Sequence, residues 1–539
     1  MAAWIPMLLR FSVHRFGLVC LALMMGALAT SARSQGTECP EPKSSAGQRY
    51  IVVISDLHFG QGYISPGHWH PQEDFRWSKA LQGFLDRIST CSNETVDLVI
   101  AGDLLELWQP PAALACKSRG DELGCTPKEL EAIASFVVAA HADDLAALGR
   151  FADRGANFLH IVPGNHDAGL MISGTWSIVE AAIGSAKGRV KRVNDGIWVG
   201  GTDGAVVIEH GHQIGSDVNG YGKWPEITRS YLGKEYVLRP WGERFVQRLF
   251  NDQETLYPVI DNLSPESAGA RYRMADRGLW KSVSDVARFI AFNAYETSPT
   301  QLSQALGQPE STGEWDVYVG RAMGHRLFAL SLASEDPFRK TLLGKSTEAG
   351  KLRKELDALA RDPMRLPDGE VKLLCAQLAL RTKNEVVCRV RMAGALVQGL
   401  VSTREAVLAG HLRERMKKQE LSQMRVFVYG HTHQLEEASI VAVTDLRRVT
   451  VLNTGAFQRV VDEPGFLSIA AKKGWTAPEA LRNMSAKDLP ACYSAVVVAM
   501  GAPIPEARTV LWNMEEGQQG RFLDVGENPC PKIRLGAHP

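Results

Sequence analysis

Five apolar, β-prone segments of this chain each run directly into a short cluster of Asp, Asn and His residues. The clusters are Asp56-Leu57-His58, Gly102-Asp103, Gly164-Asn165-His166-Asp167, His210-Gly211-His212 and Gly430-His431-Thr432-His433. Unbroken apolar runs predict buried strands, so each cluster should lie where a strand ends. We know of no packing requirement that places such side chains at the end of strand after strand. Their mixture of oxygen and nitrogen donors suits two borderline divalent metal ions.

Strands and helices alternate through the first part of the chain. Helices are predicted at 73–90 and, opened by a capping box with proline at the first helical position, from Thr126 to about Asp153. Strands are predicted at 96–101 and 157–162, and a hairpin at 197–209. This alternation predicts a layered α/β domain with its ligands at the carboxyl ends of strands.

The pattern becomes mostly helical after Gly215, with helices predicted at 347–361, 370–381 and 394–420. Strand character returns at 424–429 and is followed by hairpins at 439–452 and 493–513. The predicted organisation is a signal peptide at 1–32, a linker at 33–49, a core segment at 50–214, a helical insertion at 215–423, a second core segment at 424–515 with an excursion at 462–490, and a C-terminal tail at 516–539.

The N-terminus has the layout of a secretory signal peptide. Arg10 and Arg15 precede an apolar stretch of about 14 residues at 16–29, and small residues offer cleavage after Ala29 or Ala32. A membrane span needs roughly 20 residues, so an uncleaved anchor is the weaker alternative. Without residues 1–32 the chain holds 58 basic and 60 acidic residues, a net charge of −2. We therefore expect an exported protein, periplasmic or secreted, with no nucleic acid as a stable partner.

Cysteine usage agrees with export. Eight cysteines remain once Cys20, inside the apolar stretch, is set aside, and an even number in an exported chain favours disulfides. The local pairs Cys116–Cys125 and Cys375–Cys388 are favoured by proximity. Elimination then leaves Cys39–Cys91 and Cys492–Cys530.

The five clusters, in this order, resemble the motifs of the calcineurin-like metallophosphoesterase superfamily. Asn453-Thr454-Gly455 also resembles the segment that follows the last His pair in that family. The resemblance implies a four-layer α/β/β/α sandwich of two mixed β-sheets, here carrying a large helical insertion. It also implies a pair of divalent ions, for which Mn, Fe and Zn are all suitable.

The resemblance assigns each residue a role. The first ion would be held by Asp56, His58, Asp103 and His433, and the second by Asp103, Asn165, His210 and His431. Asp103 can bridge both ions because its carboxylate has two oxygens. His166 would be the catalytic histidine, and Glu106 would orient it. His212 would either contact substrate or pack.

The expected activity is hydrolysis of a phosphodiester, pyrophosphate or phosphomonoester by attack of a metal-bridging hydroxide. The segment from Gly102 to Trp108 also resembles the branch that cleaves UDP-2,3-diacylglucosamine. Enzymes of that branch differ from this chain in three ways: they face the cytosol, they have Arg at the position of His166, and their lid is much shorter than the predicted insertion.

Two alternatives stay open. One is a metal-binding scaffold whose site is vestigial. The other is a membrane-associated lipid-pyrophosphate hydrolase, held at the membrane by an uncleaved N-terminus or by the helical insertion.

Overall fold

The computed structural model describes residues 37–40, 49–116, 122–214, 220–247, 251–264, 404–444, 446–500, 505–514, 519–526 and 530–532, with isolated positions between 269 and 351. The predicted signal peptide, most of the predicted linker, the predicted helix at 370–381 and the Cys375–Cys388 pair lie outside the described residues.

The strands in chain order are β1 (Tyr50–Ile54), β2 (Tyr63–Ser65), β3 (His68–Trp69), β4 (Val96–Ala101), β5 (Phe158–Val162), β6 (Val190–Arg192), β7 (Ile197–Gly200), β8 (Val206–Glu209), β9 (Thr228–Tyr231), β10 (Lys234–Val237), β11 (Leu263–Ser264), β12 (Val426–Tyr429), β13 (Leu435–Thr444), β14 (Arg447–Thr454), β15 (Phe457–Gln458), β16 (Val461–Asp462), β17 (Cys492–Ala499), β18 (Glu506–Asn513) and β19 (Arg521–Asp524). The α-helices are α1 (Ser78–Cys91), α2 (Pro127–Ala140), α3 (Ala142–Asp153), α4 (Ser173–Ile183), α5 (Trp241–Phe245), α6 (Asn251–Glu254), α7 (Arg404–Arg415), α8 (Glu463–Lys472) and α9 (Ala477–Asn483).

Two mixed sheets form the core, which confirms the predicted α/β class. The larger sheet has the order β19-β18-β17-β1-β4-β5-β6, and β15 also pairs with β17. Its strands β1, β4, β5 and β6 are parallel, whereas β17 to β19 are antiparallel. The second sheet has the order β13-β14-β12-β8-β7, with β14, β12 and β8 parallel.

The two sheets pack against each other through alternate side chains of the central strands. In β1, Val52 and Ile54 point to a core shared with α1 to α4, whereas Ile51 and Val53 point to the opposite face. That opposite face packs on the second sheet through residues such as Val428. The far face of the second sheet packs on α7 through Leu408 and other residues. β1 is therefore apolar on both sides, as its unbroken apolar sequence predicts.

The predicted helix from Thr126 to Asp153 is wrong as a single element. The capping box at Thr126 is present, but the helix breaks at His141 into α2 and α3, which are bent by 81°. The side chain of His141 lies buried, with Nδ1 3.1 Å from Asp144 Oδ2 and Nε2 3.2 Å from Glu73 Oε2. Within the described residues no single helix has the length and apolar composition of a membrane span. Taken together, α2 and α3 do have this length and composition, but they are bent, and side chains such as Leu130, Ile133 and Leu148 lie in the core.

The helix predicted at 73–90 begins five residues late, at Ser78. Glu73 instead accepts hydrogen bonds from the backbone N–H groups of Gly60, Gly62 and Phe75, which ties the loop after β1 to the helix. The Glu73 carboxylate therefore accepts hydrogen bonds from loop backbone instead of belonging to the first turn of the helix.

The described start of the insertion contains strands that the sequence analysis did not predict. β9 and β10 form an antiparallel hairpin, and Val237 at its end exchanges backbone hydrogen bonds with the loop before α2. β11 pairs in parallel with β16, next to helices α8 and α9 of the excursion at 462–490. The insertion therefore contacts the core on two sides.

Three of the predicted disulfides are present: Cys39–Cys91, Cys116–Cys125 and Cys492–Cys530. The last ties the predicted C-terminal tail to β17, and β19 in that tail extends the larger sheet. These disulfides are compatible with an extracellular or periplasmic protein.

Candidate metal centre

The two sheets place all five sequence clusters at the carboxyl ends of parallel strands. Asp56, Asp103 and Asn165 follow the adjacent strands β1, β4 and β5 of the larger sheet. His210 and His431 follow the adjacent strands β8 and β12 of the second sheet. Because the sheets pack face to face, the five loops converge at one edge of the core. The sequence predicted this position correctly.

The backbone at these loops is strained. Nine described non-glycine residues have positive φ, and five of them are predicted metal ligands: Asp56, His58, Asp103, His431 and His433. Non-glycine residues enter the left-handed region at an energetic cost, and such strain clusters at functional sites. The fold thus holds these side chains in orientations that an ordinary strand-to-loop junction would not give.

One group of potential ligands consists of Asp56, His58 and His433. His433 Nε2 lies 3.3 Å from Asp56 Oδ1, and His58 Nε2 lies 3.2 Å from His433 Nε2. Asp103 Oδ2 is close by, 3.7 Å from His58 Nε2. These are the four residues that the resemblance assigns to a first ion.

A second group consists of Asp103, His210 and His431. His210 Nε2 lies 3.0 Å from Asp103 Oδ2 and 2.9 Å from Asn165 Oδ1. The ring of His431 makes a T-shaped contact with that of His210, with centroids 5.1 Å apart. These are the residues assigned to a second ion. Asp103 also belongs to a third group of potential ligands, with His58 and His166, so its carboxylate lies between the first and second groups.

The donor chemistry fits a divalent ion at the second group. His210 Nδ1 lies 2.8 Å from the carbonyl oxygen of Ala101 and must donate to it, which leaves a lone pair on Nε2 of the neutral ring. That lone pair faces two oxygens, from Asp103 and Asn165. Three acceptors that converge with no donor among them need a positive charge between them, supplied either by a proton on Nε2 of His210 or by a metal ion.

The same reasoning applies to the first group. His58 Nδ1 lies 3.0 Å from Glu106 Oε2, so Nε2 of the neutral ring also carries a lone pair. It points towards His433 Nε2 and the carboxylates of Asp56 and Asp103. Asp56 Oδ1 is buried and has no hydrogen-bond partner among the described residues. His and Asp groups at both positions could therefore hold a metal ion.

The electrostatic field of the site favours positive charge. Burial lowers the pKa of His210, but the charge and hydrogen bond of Asp103 outweigh it and raise this pKa to about 9. Burial raises the pKa of Asp103, and the surrounding histidines outweigh this and lower it well below its usual value. Burial and the charge of His210 lower the pKa of His431 to about 3, so that ring stays neutral. The field that holds protons on His210 would also attract a divalent cation.

Glu106 joins the metal site to His166. Its Oε2 accepts hydrogen bonds from Nδ1 of His166 at 2.5 Å and from Nδ1 of His58 at 3.0 Å. Its Oε1 accepts from the backbone N–H of Trp108 at 2.7 Å. Burial raises the pKa of Glu106, but the two histidines outweigh it and hold the pKa at about 2. The contact predicted from sequence is present, and the contact with His58 is an addition.

Several residues that shape the site have no role predicted from the sequence. Asp167 Oδ1 accepts from the N–H of Gly164 at 2.6 Å and its Oδ2 from that of Leu104 at 2.8 Å, which ties the loops after β4 and β5 together. The Tyr221 hydroxyl donates to the carbonyl oxygen of Asn165 at 3.3 Å. The indole of Trp108 stacks on His166. The spacing of residues along the sequence could not have revealed these contacts, because they join segments distant in sequence.

The last ligand loop is held by the segment that follows it. Asn453 Nδ2 donates to the carbonyl oxygen of Gly430 at 2.9 Å and to Oγ1 of Thr432 at 3.0 Å. Gly455 donates its N–H to Asn453 Oδ1 at 2.8 Å, which fixes the orientation of the amide. Asn453 therefore shapes the loop that carries His431 and His433.

His212 lies beside the second group without a defined role. Its ring makes a T-shaped contact with Trp224, with centroids 4.4 Å apart, and neither ring nitrogen has a hydrogen-bond partner among the described residues. Burial and the neighbouring His210 and His431 lower its pKa well below the usual value, so the ring is neutral. Its packing is established, and contact with substrate stays a prediction.

Comparisons with protein-family models, with curated proteins and with solved structures found no match for this chain.

Proposed function

We propose that this chain is an exported phosphoesterase with a dinuclear metal centre, of the calcineurin-like metallophosphoesterase type and with the four-layer sandwich of that superfamily. One observation carries the proposal: the carboxylate of Asp103 lies between the two groups of potential ligands, with Oδ2 3.0 Å from His210 Nε2 and 3.7 Å from His58 Nε2, and His166 lies beside them. A dinuclear metal centre and a neighbouring acid–base histidine together can catalyse the hydrolysis of phosphate esters.

The proposed ligands divide into two sets. Asp56, His58, Asp103 and His433 would hold one ion, and Asp103, Asn165, His210 and His431 the other. Bound divalent ions would supply Lewis acidity towards a phosphoryl oxygen and lower the pKa of bound water. Mn, Fe and Zn are all compatible with this mixture of carboxylate, amide and imidazole.

His166 would handle the leaving group. Its Nδ1–H is committed to Glu106, so a protonated ring carries its second proton on Nε2. The side chain is the partly exposed member of the pair, 19% against 2% for Glu106, which leaves it accessible to a substrate. His166 would donate this proton to the departing oxygen, as a general acid.

The substrate would be a phosphodiester, pyrophosphate or phosphomonoester of modest size. The described start of the insertion reaches the site, because Tyr221 contacts the loop that carries Asn165 and His166. We infer that the insertion contributes to substrate choice. Export through a signal peptide cleaved within 1–32 belongs to the same proposal, and N-terminal sequencing of the mature protein tests it.

A substrate panel with metal-reconstituted protein tests the activity. The panel should contain p-nitrophenyl phosphate, bis(p-nitrophenyl) phosphate and a nucleoside diphosphate sugar, each with Mn, Fe and Zn. Wild-type protein should hydrolyse at least one of them, and Asp103→Asn should reduce turnover to background while keeping the wild-type melting temperature.

Asp203→Asn is the matched control, because Asp203 is an exposed residue of a turn remote from the clusters. It should retain full activity. Retained activity in Asp103→Asn would refute the assignment. Wild-type protein that hydrolyses no member of the panel would favour a metal-binding scaffold.

A further inference from the structure

We propose that Trp108 is a positioning residue for His166, whose buried indole sets the rotation of the imidazole and thereby aims Nε2 at the leaving oxygen. The inference rests on the proposed function, since it concerns the general acid of that reaction. It assigns a task to a residue that is not among the proposed metal ligands.

The geometry is a stacked pair. The centroids of the Trp108 and His166 rings are 3.9 Å apart and the ring planes differ by 26°. Trp108 is only 4% exposed, so its indole is not a free surface on which a substrate could stack. Its ring is therefore committed to the histidine.

The hydrogen bond to Glu106 alone does not fix the imidazole. It places Nδ1 of His166 2.5 Å from Glu106 Oε2 but permits the ring to turn about the line that joins these atoms. Such a turn would swing Nε2 sideways while Nδ1 stayed in place. A flat indole against the ring face opposes that motion, because tilting the imidazole would drive it into the stacked ring.

The indole of Trp108 and the carboxylate of Glu106, which both contact His166, lie in the same loop. Asp103, Glu106 and Trp108 belong to one short loop after β4, and the N–H of Trp108 donates to Glu106 Oε1 at 2.7 Å. The carboxylate that holds Nδ1 and the indole that holds the ring face are thus mutually fixed. The His166 ring also makes a T-shaped contact with the ring of His58, with centroids 4.7 Å apart.

The dependence of kcat on the leaving group distinguishes a positioning role of Trp108 from one in which the indole only fills space. A p-nitrophenolate leaves without needing a proton, whereas an alkoxide needs one from the general acid. Trp108→Leu should therefore lower kcat on an alkyl phosphate on the order of 10²-fold, since a misplacement of about 1 Å costs that much. Its effect on the matching p-nitrophenyl ester should be much smaller. Trp108→Phe keeps an aromatic face and should restore most of the alkyl ester activity.

A double-mutant cycle supplies the second criterion. If Trp108 acts through His166, Trp108→Leu should cause no further loss in a His166→Asn background. Metal content of each variant should match the wild type, and each variant is assayed well below its own melting temperature, because Trp108→Leu removes buried volume and lowers stability. A readout independent of turnover is histidine NMR: the ring protons of His166, assigned by their absence in His166→Asn, should be shifted upfield by the indole and should lose that shift in Trp108→Leu.

The outcomes separate the two proposals. Wild-type protein that hydrolyses no phosphate ester overturns the proposed function. Active wild-type protein in which Trp108→Leu lowers both ester activities equally, or adds its loss to that of His166→Asn, overturns only the positioning role. An unshifted His166 ring in wild-type protein overturns it as well.

Discussion

Replacing Glu106 by Gln should damage two functions with a single substitution, because one carboxylate serves a proposed metal ligand and the proposed general acid. Oε2 accepts from His58 and His166, and Oε1 accepts from the backbone of Trp108. The side chain is buried, so water cannot replace a lost acceptor. A glutamine amide has one acceptor oxygen and one NH2 group. Whichever way it is turned, its NH2 faces N–H donors.

The magnitudes follow from these contacts. Loss of a carboxylate that orients a ligating histidine typically weakens metal affinity 10- to 100-fold, which is about 1.4 to 2.7 kcal/mol. The loss should fall on the ion held through His58, while the ion held through His210 is spared. Disturbing the general acid should lower kcat by roughly 10²- to 10⁴-fold. The fall in kcat should persist at saturating metal, because the His166 contact is lost separately.

Chelator competition with Zn or Mn measures the affinity of each ion, and steady-state kinetics at saturating metal measures kcat. Glu437→Gln, at an exposed position of β13, is the matched control and should change neither. Glu106→Asp keeps the charge on a shorter side chain and should fall between Gln and wild type. Unchanged affinity for both ions and an unchanged kcat in Glu106→Gln would refute the account of Glu106.

Three further substitutions test the scaffold around the site. Gly164→Ala should abolish metal binding, since a Cβ there would lie 2.2 Å from Asp103 Oδ1 and 2.7 Å from its backbone nitrogen; metal content of a folded variant checks this. His141→Gln should cost up to about 3 kcal/mol in the free energy of unfolding. Asp144 and Glu73 outweigh burial and raise the His141 pKa from 6.5 to about 9, so this cost should be full below pH 6.5 and fade as pH rises through 9 in urea titrations. Replacing Cys492 and Cys530 together by Ser should cost about 4 kcal/mol by the loop-entropy relation for a separation of 38 residues, and a denaturant midpoint equal to that of the wild type would refute it.

The strands and the location of the site could be predicted because both depend on local sequence. β1 is an unbroken apolar run and β4 is interrupted only by Asp97, and such runs are typical of buried strands. The polar cluster that follows each run then lies at a strand end. Parallel strands bring those ends to one edge, so the grouping of Asp56 with Asp103 required only the α/β pattern.

The misjudged elements depend on contacts between distant segments. Helical periodicity continues through His141, but the side chain of this residue pairs with Glu73, 68 residues away, and the helix bends there. Glu73 itself looks like part of a helix and instead binds the loop after β1. Periodicity reports which face of a helix is apolar, and it carries no information on such pairs.

The same limit applies within the site. The stack of Trp108 on His166 joins the loops after β4 and β5, and the hydrogen bond of Tyr221 joins the insertion to Asn165. Each requires the packed sheet before the partners can be identified. The sequence therefore supplied the candidate ligands, whereas the contacts that orient them are seen only in the fold.

Counting the metal ions in the purified protein tests the central claim most directly. Wild-type protein reconstituted with Mn, Fe or Zn and freed of excess metal should contain two ions per chain by elemental analysis. Asp103→Asn should contain at most one, because the variant lacks the carboxylate that lies between His58 and His210. Well under two ions per chain in folded wild-type protein, with each of the three metals, would contradict a dinuclear centre.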